Sequence, residues 1–306
     1  MSMTDASGMD GVLIINKAPD MTSAEVVATV KKLLQARKVG HAGTLDPFAT
    51  GVLVCCINRA TRLARFFLKG RKTYRAVLHL GIETDSQDAT GRIVSTRDPV
   101  AVSAQQVEGV CRQFEGAYWQ SPPPYSALKY RGKPLYRYAR EGEPIQKPPR
   151  RVEIETIRLQ SVRPPLVQFE VACSAGTYIR TLCHDMGKAL GCGGHLKELL
   201  RLESCGFTLQ EAISLFRLRR VAEAGNAAGS ILPMESALRD MPQIIANKAL
   251  TAHIKHGRVV TKNDILPSGE HNREGLVKIV DANRHLIAVL GYRKQRQEML
   301  YHCVFN

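Results

Sequence analysis

The segment VGHAGTLDPFATGVL, residues 39–53, constrains the fold more than any other stretch of this 306-residue chain. Its glycines allow backbone paths that a Cβ atom would block, and Pro47 biases the preceding Asp46 away from helix. The apolar residues 52–57 follow and predict a buried strand. The segment therefore predicts a rigid turn that presents one carboxylate. Asp46 is either an Asx-turn residue that bonds its own backbone or a reactive group held in place.

The charge of the chain indicates a polyanionic partner. Lys and Arg number 43 against 28 Asp and Glu, which gives a formal net charge of +15 and a pI of about 9.6. Such an excess is typical of proteins that bind nucleic acid or a membrane surface. The longest apolar run, residues 51–57, is too short to cross a bilayer, and the first ten residues do not resemble a signal peptide. We therefore expect a cytoplasmic protein without a membrane partner.

The eight cysteines indicate reduced, buried thiols. None forms a C-x-x-C pair, and strand geometry would point the adjacent Cys55 and Cys56 to opposite faces of a sheet. Cys192 and His195 have a spacing that suits metal ligands, but no second pair completes a zinc set. We expect no metal.

Strand and helix patterns follow one another without a βαβ rhythm. Strands are predicted at residues 11–17, 72–81, 152–162 and 167–176. Capping residues Thr22 and Ser103 begin two amphipathic helices, and a short helix is predicted over residues 60–68. Another helix opens at Gly176 and Thr177, where its N-terminus would point backbone N–H groups toward an anion. This order predicts an α+β domain with a mainly antiparallel sheet.

Residues 129–151 differ in composition from the surrounding chain. They contain eight Lys or Arg, three Tyr and two Glu, and the proline-rich stretches SPPPYS and KPPRR stiffen both ends. A solvated basic loop is one interpretation. The other, which the global charge favours, is an arm that grips an RNA phosphate backbone while its tyrosines pack on sugars or bases.

Near residue 240 the pattern changes to short strands and turns. Residues 276–292 predict two strands around a polar turn, so we expect a small β domain of about 60 residues, near the lower limit for independent folding. No reactive constellation occurs there. Its basic residues favour a binding module over a merely solvated face: Lys255, His256, Arg258, Lys262, Arg273 and Lys278.

The catalytic motifs of several enzyme classes are absent. The chain has no G-x-x-x-x-G-K-[ST] motif, no G-x-G-x-x-G after a strand and no Ser-His-Asp signature. The acidic segment ETDSQDATGR, residues 83–92, suits Mg²⁺-binding carboxylates and suits equally well an acidic turn closed by Gly91. Asp46 remains as the candidate catalytic residue, because a carboxylate that is held in place and kept ionised can act as a covalent nucleophile. We expect Arg180 to pair with Asp46 and to keep its pKa low.

These motifs together resemble the bacterial TruB-type tRNA pseudouridine-55 synthases over nearly the whole chain. The matching stretches, in the family order, are GVLIINK with MTS, VGHAGTLDPFATGVL, KTYRAVLHLG, TDSQDATG, SPPPYSALKYRGKPLYRYAREG, CSAGTYIRTL and HLKELLRL. The resemblance implies a pseudouridine synthase catalytic domain over residues 1–240, with an RNA-gripping insertion at about 122–151. A PUA-like RNA-binding domain is implied over residues 241–306. The implied reaction isomerises uridine-55 in the tRNA T-loop without cofactor or metal.

The resemblance also implies the catalytic residues. Asp46 falls on the nucleophilic aspartate, Tyr74 on the tyrosine that stacks on the flipped uracil, and Arg180 on the arginine that pairs with the aspartate. A flipped base is needed because a uridine inside a folded loop is out of reach of a buried carboxylate. Asp46 would attack either C6 of uracil or C1′ of ribose, and the sequence leaves both open. Tyr74 has a second interpretation as a core aromatic.

Four further positions are implied to bind the substrate. Tyr178 falls on a residue that lines the uridine pocket, and Leu199 on a leucine that walls it. His41 falls on the histidine that enters the T-loop, and Lys17 on an N-terminal lysine of the core. Each has a purely structural alternative: a core aromatic for Tyr178, a core leucine for Leu199, a turn histidine for His41 and, favoured in its case, a structural lysine for Lys17.

The chain departs from the family pattern at two positions. Asp20 replaces a glycine in the K-P-x-G-M-T-S stretch, although aspartate tolerates left-handed backbone better than most residues. Leu200 replaces the first arginine of Leu-Arg-Arg, which removes one contact to the core or to RNA. Neither departure touches Asp46.

Two other functions remain open at this level. One is a non-catalytic RNA-binding protein or tRNA folding chaperone, which the basic arm and the C-terminal module would also suit. The other is a relative that needs a guide RNA and protein partners, like the dyskerin-type enzymes. The long basic arm favours a stand-alone enzyme, and we expect a monomer that needs no obligate protein partner and takes the T-arm stem-loop of tRNA as its substrate.

Overall fold

Two sheets of unequal size organise the chain. The computed structural model describes residues 9–98, 102–265, 275–293 and 298–305. The strands are β1 (Gly11–Lys17), β2 (Val39–His41), β3 (Thr50–Ile57), β4 (Lys72–Leu80), β5 (Ile82–Thr84), β6 (Ile93–Thr96), β7 (Gly116–Gln120), β8 (Lys129–Tyr130), β9 (Lys133–Pro134), β10 (Arg150–Arg163), β11 (Leu166–Cys173), β12 (Gly194–Ser204), β13 (Phe207–Thr208), β14 (Ile213–Ser214), β15 (Gln243–Ile245), β16 (Leu276–Val280), β17 (Leu286–Arg293) and β18 (Glu298–Val304).

Helices cover the sheets and connect their strands. They are α1 (Ser23–Leu33), α2 (Ala64–Phe67), α3 (Ala104–Phe114), α4 (Leu135–Arg140), α5 (Ile179–Ala189), α6 (Leu215–Glu223), α7 (Met234–Ala237), α8 (Lys248–Lys255) and α9 (Lys262–Ile265). Short 3₁₀ helices span Asn58–Leu63, Leu209–Glu211 and Ala227–Ser230. In the described parts of the chain, none of these helices is long and apolar enough to cross a membrane.

The larger sheet is mixed and mainly antiparallel. Its strand order is β14-β1-β3-β12-β4-β11-β10-β7, with β2 beside β3 and β13 beside β12. The pairs β1–β14 and β3–β12 are parallel, and the other described pairs of this sheet are antiparallel. The predicted α+β class with a mainly antiparallel sheet is therefore confirmed. Its central strand β12 places Arg201 opposite Tyr74 of β4, which brings two distant parts of the sequence together.

Apolar clusters lie on both faces of this sheet. On one side Cys55 packs with Leu13 beneath helices α1 and α6. On the other side Cys56 packs with Val12 and with residues of the C-terminal sheet. The two cysteines therefore point to opposite faces, as predicted, and all eight cysteines are free thiols.

Two predicted helices begin at their predicted capping residues, and two others differ from the prediction. Thr22 and Ser103 form the predicted capping boxes at α1 and α3. The short helix predicted over residues 60–68 is instead a 3₁₀ turn followed by the four-residue α2. The helix predicted to open at Gly176 begins at Ile179, because Gly176 has a φ of +87°, which no helical residue adopts.

The smaller sheet has the order β15-β16-β17-β18 and forms a separate C-terminal unit with its own apolar core. Lys278, which the sequence counted toward an RNA-binding face, is instead buried. Its ammonium group donates hydrogen bonds to the carbonyl oxygens of Glu235 and Leu238, both at 2.8 Å, so it joins the two units. The Lys262 side chain and Arg273 lie outside the described residues. The domain boundary at residue 240 stays a prediction.

Candidate active site

The loop that carries Asp46 is fixed from below by hydrogen bonds. Ser23 of α1 donates from its hydroxyl to the Leu45 carbonyl at 3.0 Å and accepts from the Leu45 N–H at 2.9 Å. The fully buried Lys17 donates to the Pro47 carbonyl at 2.8 Å. Since these bonds hold the residues on either side of Asp46, its backbone has little freedom to move.

The Asp46 carboxylate faces the Arg180 guanidinium. Arg180 Nε lies 3.0 Å from Asp46 Oδ2, and Nη2 donates to Oδ1 at 3.4 Å. The Asp46 side chain keeps 32% of its surface exposed, whereas that of Arg180 keeps 5%. In the described part of the chain this carboxylate is bonded by Arg180 and not by its own backbone, so the Asx-turn interpretation does not hold. The pairing expected from the sequence is confirmed.

One electrostatic expectation is wrong. The sequence predicted that Arg180 would keep the pKa of Asp46 low. Loss of solvent around the carboxylate raises the pKa of Asp46 above its ordinary value, and the opposing effect of Arg180 is smaller. The nearby Asp88 also raises the pKa of Asp46. Arg180 therefore limits the rise in this pKa, and does not depress it.

Asp88 is a second carboxylate in contact with Arg180, and the sequence did not single it out. It is buried and lies 3.2 Å from Arg180 Nη1, measured from Oδ2. Ser86 Oγ at 2.8 Å and Thr90 Oγ1 at 2.6 Å donate to its other oxygen, Oδ1. Arg180 also donates to the Tyr125 carbonyl at 3.0 Å. Asp88 and the Tyr125 carbonyl thus hold the Arg180 guanidinium in place, and the guanidinium in turn faces Asp46.

A cavity of about 420 Å³ opens above this pair. Five of the seven predicted site residues line it: Asp46, Tyr74, Tyr178, Arg180 and Leu199. Three cationic residues also line it: Lys72, Arg150 and Arg201. A space with one carboxylate, three aromatic or apolar walls and several cations suits a planar polar group attached to a phosphate.

Tyr178 is held in the lining of this cavity by Gln120 and Arg150. Gln120, at the end of β7, accepts from the Tyr178 N–H at 2.7 Å and donates to the Tyr178 carbonyl at 2.9 Å. The Arg150 guanidinium lies over the Tyr178 ring, 4.8 Å from its centroid. Tyr178 is therefore held on both its backbone and its ring, which favours a wall of the pocket over a core aromatic.

Lys17 and His41 do not line the cavity. Lys17 donates to the carbonyls of Ala18 at 2.9 Å and Met21 at 2.6 Å as well as to Pro47, and burial lowers the pKa of Lys17 to about 8. Its contacts agree with the structural alternative. His41 lies on β2, where burial and the charge of Arg201 lower its pKa. Its Nδ1 atom is buried and has no hydrogen-bond partner in the described chain.

Arg201 is a further residue that the sequence did not single out. It is fully buried and donates to the carbonyls of Val52 at 2.6 Å and Gly43 at 3.0 Å. Burial raises the pKa of Tyr74 and the adjacent Arg201 charge acts against that rise. The available signal was that Arg201 falls on the second arginine of the Leu-Arg-Arg pattern, directly after Leu199 and Leu200. Arg201 fixes the loop before Asp46 and the tyrosine beside it.

The acidic segment at residues 83–92 is a turn whose carboxylates have separate partners. Glu83 Oε1 lies 3.6 Å from His184 Nδ1, Asp85 Oδ2 lies 3.2 Å from Arg92 Nε, and Asp88 bonds Arg180. Within the residues that the structure describes, no group of three or more His, Cys, Asp or Glu residues is placed to hold a metal. His195 instead bonds the Ile82 carbonyl through Nδ1 at 2.8 Å.

The two departures from the family pattern have clear settings. Asp20 has a φ of +58°, the left-handed conformation in which aspartate is tolerated better than most residues. Leu200 is half-buried where β12 meets β3, and its Cα atom pairs with Thr50. Neither side chain lines the cavity.

The basic arm begins beside the cavity. Residues Ser126, Ala127 and Leu128 line it, and the β8–β9 hairpin and α4 follow. Cations lie over the rings of its tyrosines, with Lys133 Nζ 4.6 Å from the centroid of Tyr138. The arm therefore has ordered local structure with aromatic and cationic groups side by side.

The chain matches two family models over 209 consecutive residues, 31–239. Residues 31–179 match the N-terminal domain of the TruB family of pseudouridylate synthases, and residues 180–239 match the tRNA pseudouridylate synthase B C-terminal domain. Among curated relatives, the tRNA pseudouridine synthase B of Syntrophotalea carbinolica is 48% identical over 77% of either chain. That of Syntrophus aciditrophicus is 40% identical over 93% of this chain and 91% of the relative.

Solved structures of similar fold agree with this assignment. A crystal structure of a Cbf5-Nop10-Gar1 complex is matched with a TM-score of 0.75 and 29% identity over 99% of this chain and 85% of that one. An H/ACA RNP bound to a substrate RNA containing 2′-deoxyuridine is matched with a TM-score of 0.72 and 28% identity over 97% and 85% of the two chains. The fold, over 97% or more of this chain, is thus shared with a protein of an RNA-bound RNP and with a protein of a Cbf5-Nop10-Gar1 complex.

Proposed function

The chain belongs to the TruB family and is a tRNA pseudouridine synthase, and from this premise we propose that Asp46 is its nucleophile and uridine-55 of the T-loop its target. The observation that carries the proposal is the Asp46–Arg180 pair at one end of a cavity large enough for a nucleotide base. The tyrosines Tyr74 and Tyr178 and the apolar Leu199 form the other walls. A non-catalytic RNA-binding role is not favoured by the relatives.

The substrate uridine enters the cavity by leaving its stack. Unstacking costs about a few kcal/mol, and stacking on Tyr74 together with a phosphate contact to Arg150 offsets this cost. His41 and Lys17 act outside the cavity in this proposal. His41, on the strand before the Asp46 loop, meets the T-loop, and Lys17 supports the loop from below.

The ionised Asp46 carboxylate attacks C6 of uracil or C1′ of ribose, and the C1′–N1 bond breaks. The detached base turns inside the cavity and C5 bonds to C1′, which on the C1′ route displaces the Asp46 carboxylate. The C5 hydrogen then leaves as a proton, and on the C6 route the Asp46–C6 bond breaks, so that either route regenerates the free carboxylate. Arg180 opposes the rise in the pKa of Asp46, which favours the ionised carboxylate, and it orients the carboxylate oxygens. The apolar wall at Leu199 limits the access of water that would otherwise intercept the intermediate.

The wider assignment follows the same reasoning. The basic arm at about 122–151 grips the T-arm stem-loop, and residues 241–306 form a PUA-like module whose exposed Lys255, His256 and Arg258 contact RNA. The enzyme acts as a cytoplasmic monomer without a protein partner. In this respect it differs from the Cbf5 protein of the Cbf5-Nop10-Gar1 complex.

Tritium release from T-arm stem-loop RNA labelled with [5-³H]-uridine tests the proposal. Wild type alone should release tritium, and Asp46→Asn should lower the rate by roughly 10⁴-fold or more while it still binds the RNA. Asp240→Asn, which changes an exposed carboxylate outside the cavity, is the matched control and should keep full activity. No release by wild type from this RNA, or normal release by Asp46→Asn, would refute the proposal.

A further inference from the structure

The chain contains a single tryptophan, Trp119, and it is exposed. Its residue surface is 68% accessible, although a large aromatic side chain gains free energy from burial. It lies on β7, the edge strand of the large sheet, next to the last residue of that strand. An exposed tryptophan on a rigid edge strand is typical of a contact site.

Strands β7 and β10 form a ribbon with two chemically different faces. Gln120 pairs with Arg150, and Trp119 pairs with Arg151. Because successive side chains of a strand point to opposite faces, these two pairs lie back to back. The Gln120–Arg150 face holds Tyr178 at the mouth of the catalytic cavity. The Trp119–Arg151 face is turned outward, one residue away from that mouth.

The outward face presents a cation beside the aromatic ring. The Arg151 side chain is 66% exposed, and its nearest acidic partner is Glu153, 3.7 Å away (Nη2 to Oε2), which is a loose ion pair. Glu155, on the same face, is engaged by Arg71 at 2.8 Å. The basic arm ends here, where the chain passes into strand β10. Its last residues, 147–151, contain three of its cations. The local charge therefore favours an anionic partner, and the tRNA of the proposed function supplies one in its phosphates.

We propose that Trp119 and Arg151 form a second RNA contact, on which a nucleotide of the tRNA outside the catalytic cavity stacks while its phosphate meets Arg151. The inference rests on the proposed function, because it places this contact on the path of the RNA strand that leaves the cavity. Trp119 stacks on the base or the ribose, and Arg151 supplies charge. The contact binds and positions the RNA and does not touch the reacting uridine.

The number of tryptophans makes a direct test possible. Since Trp119 is the single tryptophan, emission excited at the long-wavelength edge of the indole absorption, where the nine tyrosines hardly absorb, reports on this side chain alone. A base stacked on the indole should quench the emission and shield it from acrylamide. The probe is an unmodified tRNA transcript, and a parallel titration that follows the anisotropy of a fluorescein-labelled copy measures binding independently.

Variants separate a binding role from a structural one. Trp119→Ala should raise the Kd for tRNA, and the KM, at least about fivefold, because stacking of one base contributes roughly 1–3 kcal/mol. Its kcat should stay within about twofold of wild type, and Trp119→Phe should restore most of the affinity. Phe216→Ala is the matched control: Phe216 is 72% exposed on α6, by the opposite edge of the sheet, and its loss should leave the Kd unchanged.

The outcomes are distinct. If tRNA binds but the emission and acrylamide access of Trp119 do not change, or if Trp119→Ala binds as tightly as wild type, the inference is refuted while the proposed function stands. Quenching of the Trp119 emission that depends on protein concentration in the absence of RNA would assign the β7 edge to self-association. This result would also refute the inference. A failure of wild type to bind tRNA in the anisotropy titration would overturn both proposals together.

Discussion

The guanidinium of Arg180 lies between two carboxylates, 3.0 Å from Asp46 and 3.2 Å from Asp88. Asp46 has a third of its side-chain surface open to the cavity, whereas Asp88 is buried and saturated with hydrogen bonds. One arginine thus links a buried structural carboxylate to the proposed nucleophile. Arg180 lowers the pKa of Asp46 and Asp88 raises it, so the loss of each should move the pH dependence of the reaction in opposite directions.

Replacement of Arg180 by Met should move the acid limb of the rate profile to higher pH. Burial already raises the pKa of Asp46, and Arg180 opposes that rise, so its removal lets the pKa rise further and lowers the ionised fraction at any given pH. We also expect kcat to fall by roughly 10²-fold or more, since an oriented charge at the reacting group is lost. Single-turnover tritium release across a pH series measures both effects.

The control for Arg180→Met is Arg75→Met. Arg75 pairs with Glu170 at 3.0 Å on the exposed face of the sheet, so its loss should cost at most about 1 kcal/mol and leave the pH profile in place. Arg180→Met leaves the buried Asp88 unpaired and should lower the free energy of unfolding by about 3–5 kcal/mol. An unshifted acid limb in a folded Arg180→Met protein would contradict the role given to this arginine.

Asp88→Asn should move the acid limb the other way. Asp88 raises the pKa of Asp46 through charge repulsion, so a neutral amide in its place lets Asp46 ionise at lower pH. Arg180 loses a charged partner, and we expect kcat to drop about tenfold because a hydrogen bond to a charged group contributes about 1.5–3 kcal/mol. Asp85→Asn, in the same turn but paired with Arg92, should leave the limb unchanged. Both variants are compared in the same pH series, and a shift to higher pH in Asp88→Asn would be incompatible with this account.

The strands of the fold were accessible to sequence analysis where their side chains alternate regularly. β4 alternates strictly between buried and half-buried residues, and its extent was predicted within one residue. β12 could not be found in this way. Its register shifts between Leu196 and Glu198, and again between Arg201 and Glu203, so the two-residue period is interrupted twice.

The candidate site was partly accessible for a similar reason. Asp46 stands out because glycines and a proline frame it, and Arg180 because it opens a helix. Asp88 looked like one acidic residue among several, since nothing local shows that its partner lies 92 positions away. The direction of the Asp46 pKa shift was missed because loss of solvent depends on packing between distant segments, which a local motif does not show.

Lys17→Met should lower activity although Lys17 does not line the cavity. Its ammonium group donates to three carbonyls, one of them that of Pro47, directly after the proposed nucleophile Asp46. Without it the loop shifts, and a displacement of about 1 Å at a reacting group can cost on the order of 10²-fold in rate. The Kd for tRNA, measured by anisotropy, should stay near the wild-type value. A large loss of affinity at normal kcat would instead assign Lys17 a direct role in binding.

The same substitution should flatten the stability profile at alkaline pH. The pKa of Lys17 is about 8 in the folded chain and 10.5 as its ordinary value, so the unfolded chain binds more protons between these two pH values. Stability from this group therefore rises with pH from about 8 to 10.5. Urea unfolding at several pH values should show a difference between wild type and Lys17→Met that grows over this interval. A constant difference would contradict the lowered pKa.

Gly51→Ala should destabilise the junction on which the Asp46 loop rests. Gly51 has a φ of +100°, and a Cβ atom there would lie 2.3 Å from the carbonyl oxygen of Arg201. We expect a loss of about 2–5 kcal/mol in the free energy of unfolding, since a strained φ and a backbone clash add. Activity should fall as well, because a displaced Arg201 no longer holds Gly43 and Val52.

Gly109→Ala is the matched control: its Cβ would meet nothing within 4 Å inside helix α3, so stability should rise by about 0.5–1 kcal/mol. Urea unfolding of the two variants measures both changes, and equal effects would show that close packing of β3 against β12 does not decide the stability of this site.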